Sequence, residues 1–172
     1  RGLWYKDKNS EKFYPFKILD TQPNDFQISY AAFSYPFWYL TNGDKILRYN
    51  SDKNDVKWII DPVLSKNKIQ KIFPGKNGAF DVITANNYLV FKYKNDQTNI
   101  DSTFCKTLCN TIGYLADAEM DSLGRIWISC KGVGLFMLDS ENKSFKSWTD
   151  KEGMADKDLH QLDLDKNGNI WG

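Results

Sequence analysis

The sequence lacks both a large excess of one charge and any long hydrophobic run. Its 23 Lys and Arg residues nearly balance its 22 Asp and Glu residues, which gives a formal net charge of +1. A dedicated nucleic-acid-binding surface needs a strong positive field, so we expect this chain to bind no nucleic acid. The longest apolar stretches, such as residues 35–41 and 88–91, fall far below the roughly 20 residues that cross a bilayer. We therefore expect no direct membrane insertion.

Cysteine and histidine are also scarce. Cys105, Cys109 and Cys130 are too few for a disulfide framework, and the spacing of the first two is not that of a common zinc or redox motif. Their number does not decide the redox compartment, so a Cys105 to Cys109 bridge and two free thiols both remain open. Because His160 is the only histidine, a multi-histidine metal site is excluded, and we expect neither a metal nor a cofactor.

The most informative feature of the sequence is an internal repeat. Residues 121–128 read Asp-Ser-Leu-Gly-Arg-Ile-Trp-Ile, and residues 165–171 read Asp-Lys-Asn-Gly-Asn-Ile-Trp, with the two tryptophans 44 positions apart. Segments 2–7 and 134–139 form a second pair, since both begin with Gly-Leu and end with Asp. These echoes indicate a structural unit of somewhat more than forty residues.

Two weaker copies of the unit place Trp38 and Asp81 at the tryptophan position. Each copy predicts four short strands, because apolar runs of four to seven residues are interrupted by Gly, Asn, Asp and Lys and do not recur at helical spacing. Gly124 and Gly168 supply the backbone freedom that tight turns need. A period in the forties with four strands per unit is typical of propeller blades, so we predict an all-β propeller built of four-stranded antiparallel blades.

The repeat predicts three complete blades and half a blade at each end. The half blades cover residues 1–17 and 159–172, and the complete blades cover about 26–60, 68–104 and 114–149. Either the two ends pair to close a small four-bladed ring, or the chain is a segment of a larger propeller and the remaining blades are its partners. We favour the segment, because a closed ring would leave an incomplete strand at an unpaired blade edge. A first residue other than Met also favours a piece of a longer protein.

The pattern Asp-x-x-Gly-x-Ile-Trp-Ile, followed by Gly-Leu, an Asp-containing turn and Phe, resembles the two-component regulator propeller repeat. The resemblance implies the periplasmic sensor region of a hybrid two-component histidine kinase, where an oligosaccharide is the typical signal and a phosphorelay carries the output. It also implies that this segment is not itself an enzyme. The chain departs from the repeat at Asp81 in place of tryptophan, at Gly75 in place of the turn aspartate, and at Ser129-Cys130.

Within such a repeat the tryptophan and glycine positions are expected to be structural, because they fill the wedge between blades and form the turns. These structural positions are Trp38, Trp127, Trp171, Gly124 and Gly168.

Aromatic and polar loop residues are the candidates for ligand binding. Sugar rings present apolar faces that stack on Trp and Tyr, while their hydroxyls pair with Asn, Asp and Lys. In a propeller, the loops between second and third strands and those between blades gather at one mouth of the central channel. The candidate residues on these loops are Asn24, Asp25, Asn42, Asp44, Asn86, Asn87, Asn110, Lys131 and Asp156, with Tyr114 at the start of a strand.

Other chemistry and other functions remain open at this point. Residues 163–170 copy the front half of a calcium loop, but Leu123 at the equivalent slot of the neighbouring unit cannot ligate, which favours a hairpin turn. Asp117 and Glu119 lie two apart on one strand and share a face that acid-base chemistry could use.

A propeller enzyme, such as a lyase or a glycosidase with His160 as base, is one alternative to the sensor function. A protein-docking scaffold is another, and a homodimer is compatible with all three.

Overall fold

The computed structural model describes residues 4–6, 11–15, 26–84, 90–95, 97–101, 115–139, 141–142 and 144–172. Within these residues nearly all regular structure is antiparallel β-sheet. Three sheets have four strands each and two have two strands each, and every sheet runs in simple chain order. No helix in this part of the chain has the length and hydrophobicity to cross a bilayer.

The strands follow one another as meanders. The first half unit holds β1 (Trp4–Lys6) and β2 (Phe13–Pro15). The first sheet contains β3 (Tyr30–Ser34), β4 (Phe37–Thr41), β5 (Ile46–Asn50) and β6 (Asp55–Ile59). The second sheet contains β7 (Ile69–Pro74), β8 (Phe80–Thr84), β9 (Val90–Lys94) and β10 (Gln97–Asp101). The third sheet contains β11 (Leu115–Met120), β12 (Ile126–Cys130), β13 (Gly134–Asp139) and β14 (Ser144–Trp148), and β15 (Asp163–Leu164) pairs with β16 (Ile170–Trp171).

Short helical turns connect some of these strands. Helix α1 (Pro62–Asn67) joins the first sheet to the second, and the Asp61 side chain caps it by accepting hydrogen bonds from the backbone N–H groups of Val63 and Leu64. Single 3-10 turns occur at Lys76–Gly78 and Asp150–Glu152. A side-chain cap and a proline in the first turn are what a six-residue helix needs, since so short a helix has little stability of its own.

Hydrophobic cores lie between successive sheets. Tyr39 and Ile46 of the first sheet pack with Phe80 and Val82 of the second. The ring centroids of Tyr39 and Phe80 are 5.1 Å apart, and the Tyr39 hydroxyl donates a hydrogen bond of 3.2 Å to the carbonyl of Ala79. Burial raises the pKa of Tyr39 to about 12, so this hydroxyl remains a donor. Each side chain of this size contributes about 1.5–3 kcal/mol on burial.

The same arrangement recurs between the second and third sheets, where Phe73 and Ile83 pack with Ile126 and Ile128. The second sheet therefore buries one face against the first sheet and the other face against the third. This explains why the strands are apolar on both faces rather than alternating. With the first strands β3 and β7 side by side at one edge of the stack, the chain is a β-propeller segment.

The aspartate and the tryptophan of the repeat bond to each other. In the third sheet the Asp121 Oδ2 atom accepts hydrogen bonds from the Trp127 indole at 2.9 Å and from the Arg125 Nε atom at 2.6 Å. The Asp121 Oδ1 atom accepts from the backbone N–H groups of Leu123 and Arg125. Gly124 completes the turn at φ 76°, a conformation that side chains resist. The repeat motif is therefore a turn built around one carboxylate.

The last repeat forms the same turn with equivalent hydrogen bonds. Asp165 accepts from the backbone N–H groups of Asn167 and Asn169, from the Asn169 side chain, and from the Trp171 indole at 3.4 Å, with Gly168 at φ 82°. The Asp165 oxygens serve the turn, which agrees with the expected hairpin. The described residues contain no group of three or more His, Cys, Asp or Glu side chains placed to hold a metal.

The strand register assigns Tyr39, one residue beyond Trp38, to the tryptophan position of the first sheet. Asn50 and Asp139 each end a third strand and accept backbone hydrogen bonds from the residues two and three positions further on. Arg48, two residues before Asn50, pairs with Tyr39, and Met137, two residues before Asp139, pairs with Trp127. Tyr39 and Trp127 therefore occupy equivalent positions. The cause is a short turn, since two residues join β3 to β4 whereas five join β11 to β12. Trp38 instead lies against Phe33, with ring centroids 4.5 Å apart.

Candidate ligand-binding site on the inner strands

Three consecutive inner strands place polar side chains at the same level. Tyr30 on β3, Lys71 on β7 and Asp117 on β11 occupy one position of the repeat, because their pairing partners all lie two residues after the tryptophan position. Those partners are Thr41, Ile83 and Ser129. Equivalent positions on adjacent inner strands are neighbours in space, so the three side chains meet.

A register irregularity precedes two of these residues. The pairing shifts between Ile69 and Lys71 on β7, and between Leu115 and Asp117 on β11. An extra residue of this kind bends a strand and re-aims the side chain that follows it. The two shifts occur at the same point of the repeat, so they direct Lys71 and Asp117 to one place.

Lys71 is the centre of the cluster. Its Nζ atom lies 3.0 Å from the Asp117 Oδ1 atom and 2.5 Å from the Glu119 Oε1 atom. The three side chains are 15%, 21% and 28% exposed. Burial alone would lower the pKa of Lys71, but hydrogen bonds and charge interactions with the two carboxylates outweigh it and raise the pKa. The ammonium group therefore stays charged at neutral pH.

Asp117 connects this cluster to the next unit of the chain. Its Oδ2 atom accepts a hydrogen bond of 2.9 Å from the backbone N–H of Leu162, just before β15. Its Oδ1 atom accepts from the Ala118 backbone in addition to Lys71. One carboxylate thus joins the second sheet, the third sheet and the segment that follows the third sheet.

Tyr30 completes the cluster, which we call the inner polar layer: Tyr30, Lys71, Asp117 and Glu119. Burial raises the pKa of Tyr30, the charge of Lys71 opposes that rise, and the two carboxylates add to it. The hydroxyl is therefore protonated at neutral pH and available as a donor. In the part of the chain that the structure describes, neither this hydroxyl nor the Glu119 Oε2 atom has a hydrogen-bond partner.

Two cavities meet at the inner polar layer and share Tyr30 and Lys71 in their walls. The larger has a volume of about 580 Å³, and its other lining residues are Ala32, Phe33, Ile72, Phe73, Pro74, Glu119, Met120 and Asp121. The smaller has a volume of about 330 Å³ and is completed by Ser29, Lys68, Ile69, Gln70 and Asp117. The larger cavity combines apolar walls with a few converging polar groups, which is how small-molecule sites are commonly built.

The loop candidates that the structure describes lie elsewhere. The Asn42 side chain accepts hydrogen bonds from the backbone N–H groups of Asp44 and Lys45, so it shapes its own turn. Asp44 is exposed, and its backbone carbonyl accepts a hydrogen bond from the Ser65 hydroxyl. Backbone bonds hold the loop that contains Asn42 against the start of β7, since the Ile69 N–H donates to the Gly43 carbonyl at 2.6 Å.

Lys131 and Asp156 lie on the corresponding loops of the third sheet. The N–H of Gly132, next to Lys131, donates to the carbonyl of Lys157, next to Asp156. Asp156 is exposed and accepts from the Asp158 backbone. The structure thus brings these two candidates near each other, but neither of them lines either of the described cavities. His160 is exposed and is not among the lining residues.

Six candidates lie outside the described residues and stay predictions. They are Asn24, Asp25, Asn86, Asn87, Asn110 and Tyr114. Cys105 and Cys109 also lie outside, whereas Cys130 is a free, buried thiol. Sequence reasoning noticed Asp117 and Glu119 as an acidic pair, but it missed Lys71 and Tyr30, which carry no motif.

No protein-family model matches the chain, and no curated protein matches it in sequence. Solved structures do match its fold. The extracellular domains of two hybrid two-component systems from B. thetaiotaomicron, BT3049 and BT4673, match at TM-scores of 0.62 and 0.68, with 16% and 15% identity, and both matches cover 99% of this chain. The chain spans 22% and 23% of those two structures.

An enzyme of the same fold matches as well. Virginiamycin B lyase from Staphylococcus aureus matches 93% of the chain at a TM-score of 0.67 and 14% identity, and the chain spans 52% of it. Identities this low show a shared fold, and function has to be argued from the site.

Proposed function

We propose that this chain is a non-catalytic, ligand-sensing segment of an extracytoplasmic β-propeller in a two-component sensor, and that its ligand is an oligosaccharide. The observation that carries the proposal is that Tyr30, Lys71 and Glu119 of the inner polar layer line the larger cavity. Their hydroxyl, carboxylate and ammonium groups face a space with apolar walls, which suits a ring with hydroxyl groups and C–H faces.

The similar structures support a sensor role of this kind. Two of them are extracellular domains of hybrid two-component systems, and each matches nearly the whole chain. Since the chain spans less than a quarter of either, we assign it recognition alone and place the signalling output in other parts of the protein.

Signalling further requires that the ligand favour one of two arrangements of the receptor. Asp117 is suited to such coupling, because Lys71 and Leu162 reach its carboxylate from different units of the propeller. A ligand that competes for Lys71 or Glu119 changes the contacts between adjacent sheets.

Calorimetric titration of the intact protein with oligosaccharides of known composition tests the proposal. We expect at least one of them to bind saturably, and we expect Tyr30→Phe to weaken that binding several-fold. Lys146→Ala serves as the control, because Lys146 is an exposed residue of β14 away from both cavities. Equal binding by the wild type and Tyr30→Phe would place the ligand elsewhere, and the absence of any glycan binding would refute the proposal.

A propeller enzyme is the second candidate. Tyr30 and Glu119 are groups that proton transfer uses, they lie in one cavity, and a lyase shares the fold. Mass spectrometry of the same titration samples distinguishes the two functions. An unchanged oligosaccharide supports recognition, and a product that disappears in the Glu119→Gln variant supports catalysis.

A further inference from the structure

The charges that line the larger cavity favour ligands without negative charge. Lys71 supplies one positive charge to the wall of this cavity and Glu119 supplies one negative charge, while Asp117, on the wall of the smaller cavity, adds a second negative charge 3.0 Å from Lys71. Asp121 also lines this cavity, but Arg125 neutralises it through a contact of 2.6 Å. The inner polar layer therefore carries a net negative charge, and its only ammonium group is already paired twice.

The hydrogen-bonding groups that remain at the layer suit hydroxyl groups. An ammonium group has three N–H donors, and two of those of Lys71 are used by the carboxylates. One donor remains, next to the Glu119 Oε2 acceptor and the Tyr30 hydroxyl, which donates or accepts. A sugar hydroxyl does both, so adjacent hydroxyls of one ring can bridge Lys71 and Glu119.

The apolar wall of the same cavity suits the other face of a sugar. Phe33, Phe73 and Met120 line the cavity with the polar layer, and Phe33 is 49% exposed. An exposed aromatic ring offers a surface on which the C–H face of a pyranose packs. A carboxylated or sulfated ring at this place would instead bring its negative charge toward the Glu119 carboxylate. The ammonium group beside that carboxylate, Lys71, is already paired with Asp117 and Glu119.

We infer that the larger cavity binds an oligosaccharide free of negative charge, with Glu119 and Lys71 holding its hydroxyls, Tyr30 adding a third hydrogen bond and Phe33 packing against the ring. This inference rests on the proposed function and adds the chemical class of its ligand. It excludes uronic acids and sulfated glycans as the signal at this site. Lys68 and Asp117 line only the smaller cavity, so the charged side chains on the wall of the larger cavity are those of Lys71, Glu119 and Asp121.

Titration of the intact protein with uncharged and anionic glycans tests this inference. The uncharged probes are oligosaccharides of xylan, arabinan, mannan and galactan, and the anionic probes are oligogalacturonides and chondroitin sulfate fragments. We expect an uncharged probe to bind at least tenfold more tightly than any anionic probe. We also expect its affinity to change less than twofold between low and high salt, because no net charge is neutralised on binding.

The Glu119→Gln variant tests the direction of the charge effect on affinity, because it removes the negative charge and keeps the shape of the side chain. We expect it to weaken the uncharged probe about tenfold and to strengthen any residual binding of an anionic probe. Glu141→Gln is the matched control, since Glu141 is exposed in the turn between β13 and β14. Tyr30→Phe provides a second variant in case Glu119→Gln does not fold.

The outcomes separate the inference from the proposed function. An anionic probe that binds more tightly than every uncharged one, with affinity that falls as salt rises, overturns the inference and leaves glycan sensing intact. An uncharged probe whose affinity is the same in the wild type, Glu119→Gln and Tyr30→Phe also overturns it, because the site is then elsewhere. If no glycan of either kind binds, the proposed function fails and the inference fails with it.

Discussion

Replacing Asp121 by alanine tests whether one carboxylate holds the repeat turn together. The change removes the acceptor for the Trp127 indole, for the Arg125 side chain and for two backbone N–H groups of the turn. A half-buried indole N–H left without a partner costs about 1–3 kcal/mol. The partly exposed ion pair with Arg125 adds up to about 1 kcal/mol. We therefore expect Asp121→Ala to lower the free energy of unfolding by about 1–4 kcal/mol.

Urea unfolding of the intact protein, followed by tryptophan fluorescence, measures this loss. Asp139→Ala is a matched control on the same sheet, because Asp139 also accepts two backbone and one side-chain hydrogen bonds, but from exposed partners. We expect a much smaller effect there. A double-mutant cycle with Trp127→Phe isolates the indole bond, which should couple the two sites by at least about 0.5 kcal/mol.

The pH dependence gives an independent check. Burial alone would raise the pKa of Asp121, but the hydrogen bonds from Trp127 and Arg125 hold it below the usual 3.8. Its stabilising effect is therefore present above pH 3.8 and is lost as the pH falls through the lower folded-state value. The difference between wild type and Asp121→Ala should shrink in that acid range. A loss no larger than that of Asp139→Ala at pH 7, or one that does not change in acid, would refute this reasoning.

Three further predictions concern the backbone and two buried groups. Gly134→Ala should destabilise the protein far more than Gly124→Ala, as ranked by thermal unfolding. A Cβ at Gly134 (φ 135°) would meet the Trp148 carbonyl, whereas a Cβ at Gly124 would face open space. The Gly124 change should therefore cost only about 1 kcal/mol, from its backbone conformation. Burial raises the pKa of Asp81, so its ionised form costs stability above pH 3.8; Asp81→Asn should raise the melting temperature at pH 7, with a gain that declines toward pH 3.8. Burial raises the pKa of Cys130 to about 11, so iodoacetamide at pH 8 should label it only after unfolding, as read by peptide mass spectrometry.

Much of the fold could be predicted from the sequence because its signals are local. The Asp and Gly of each clear turn specify a hairpin through their own backbone geometry, and the 44-residue spacing of Trp127 and Trp171 indicates the unit. Where the turn has a different length, the sequence no longer predicts which residue occupies the tryptophan position. The two-residue turn before β4 moves Tyr39 into the tryptophan position and leaves Trp38 on the other face, which identity of residue type alone does not reveal.

The candidate site could be predicted only in part. The sequence places Asp117 and Glu119 on one face of a strand, because they lie two residues apart. It does not show that the ammonium group of Lys71 lies between them, since that residue belongs to another sheet and no motif marks it. The loop candidates followed from residue type and from the propeller topology, and two of the four described ones, Asn42 and Asp156, accept hydrogen bonds within their own turns.

The sequence by itself therefore determined the all-β class, the four-stranded unit and the chemistry of its turns, since each depends on residues close together along the chain. Only the tertiary structure decided which side chains share a cavity. Tyr30, Lys71 and Asp117 lie more than forty residues apart from one to the next and share no residue type. They meet because the strand register and the two irregular pairings set equivalent positions of three inner strands at one level, which no local pattern encodes.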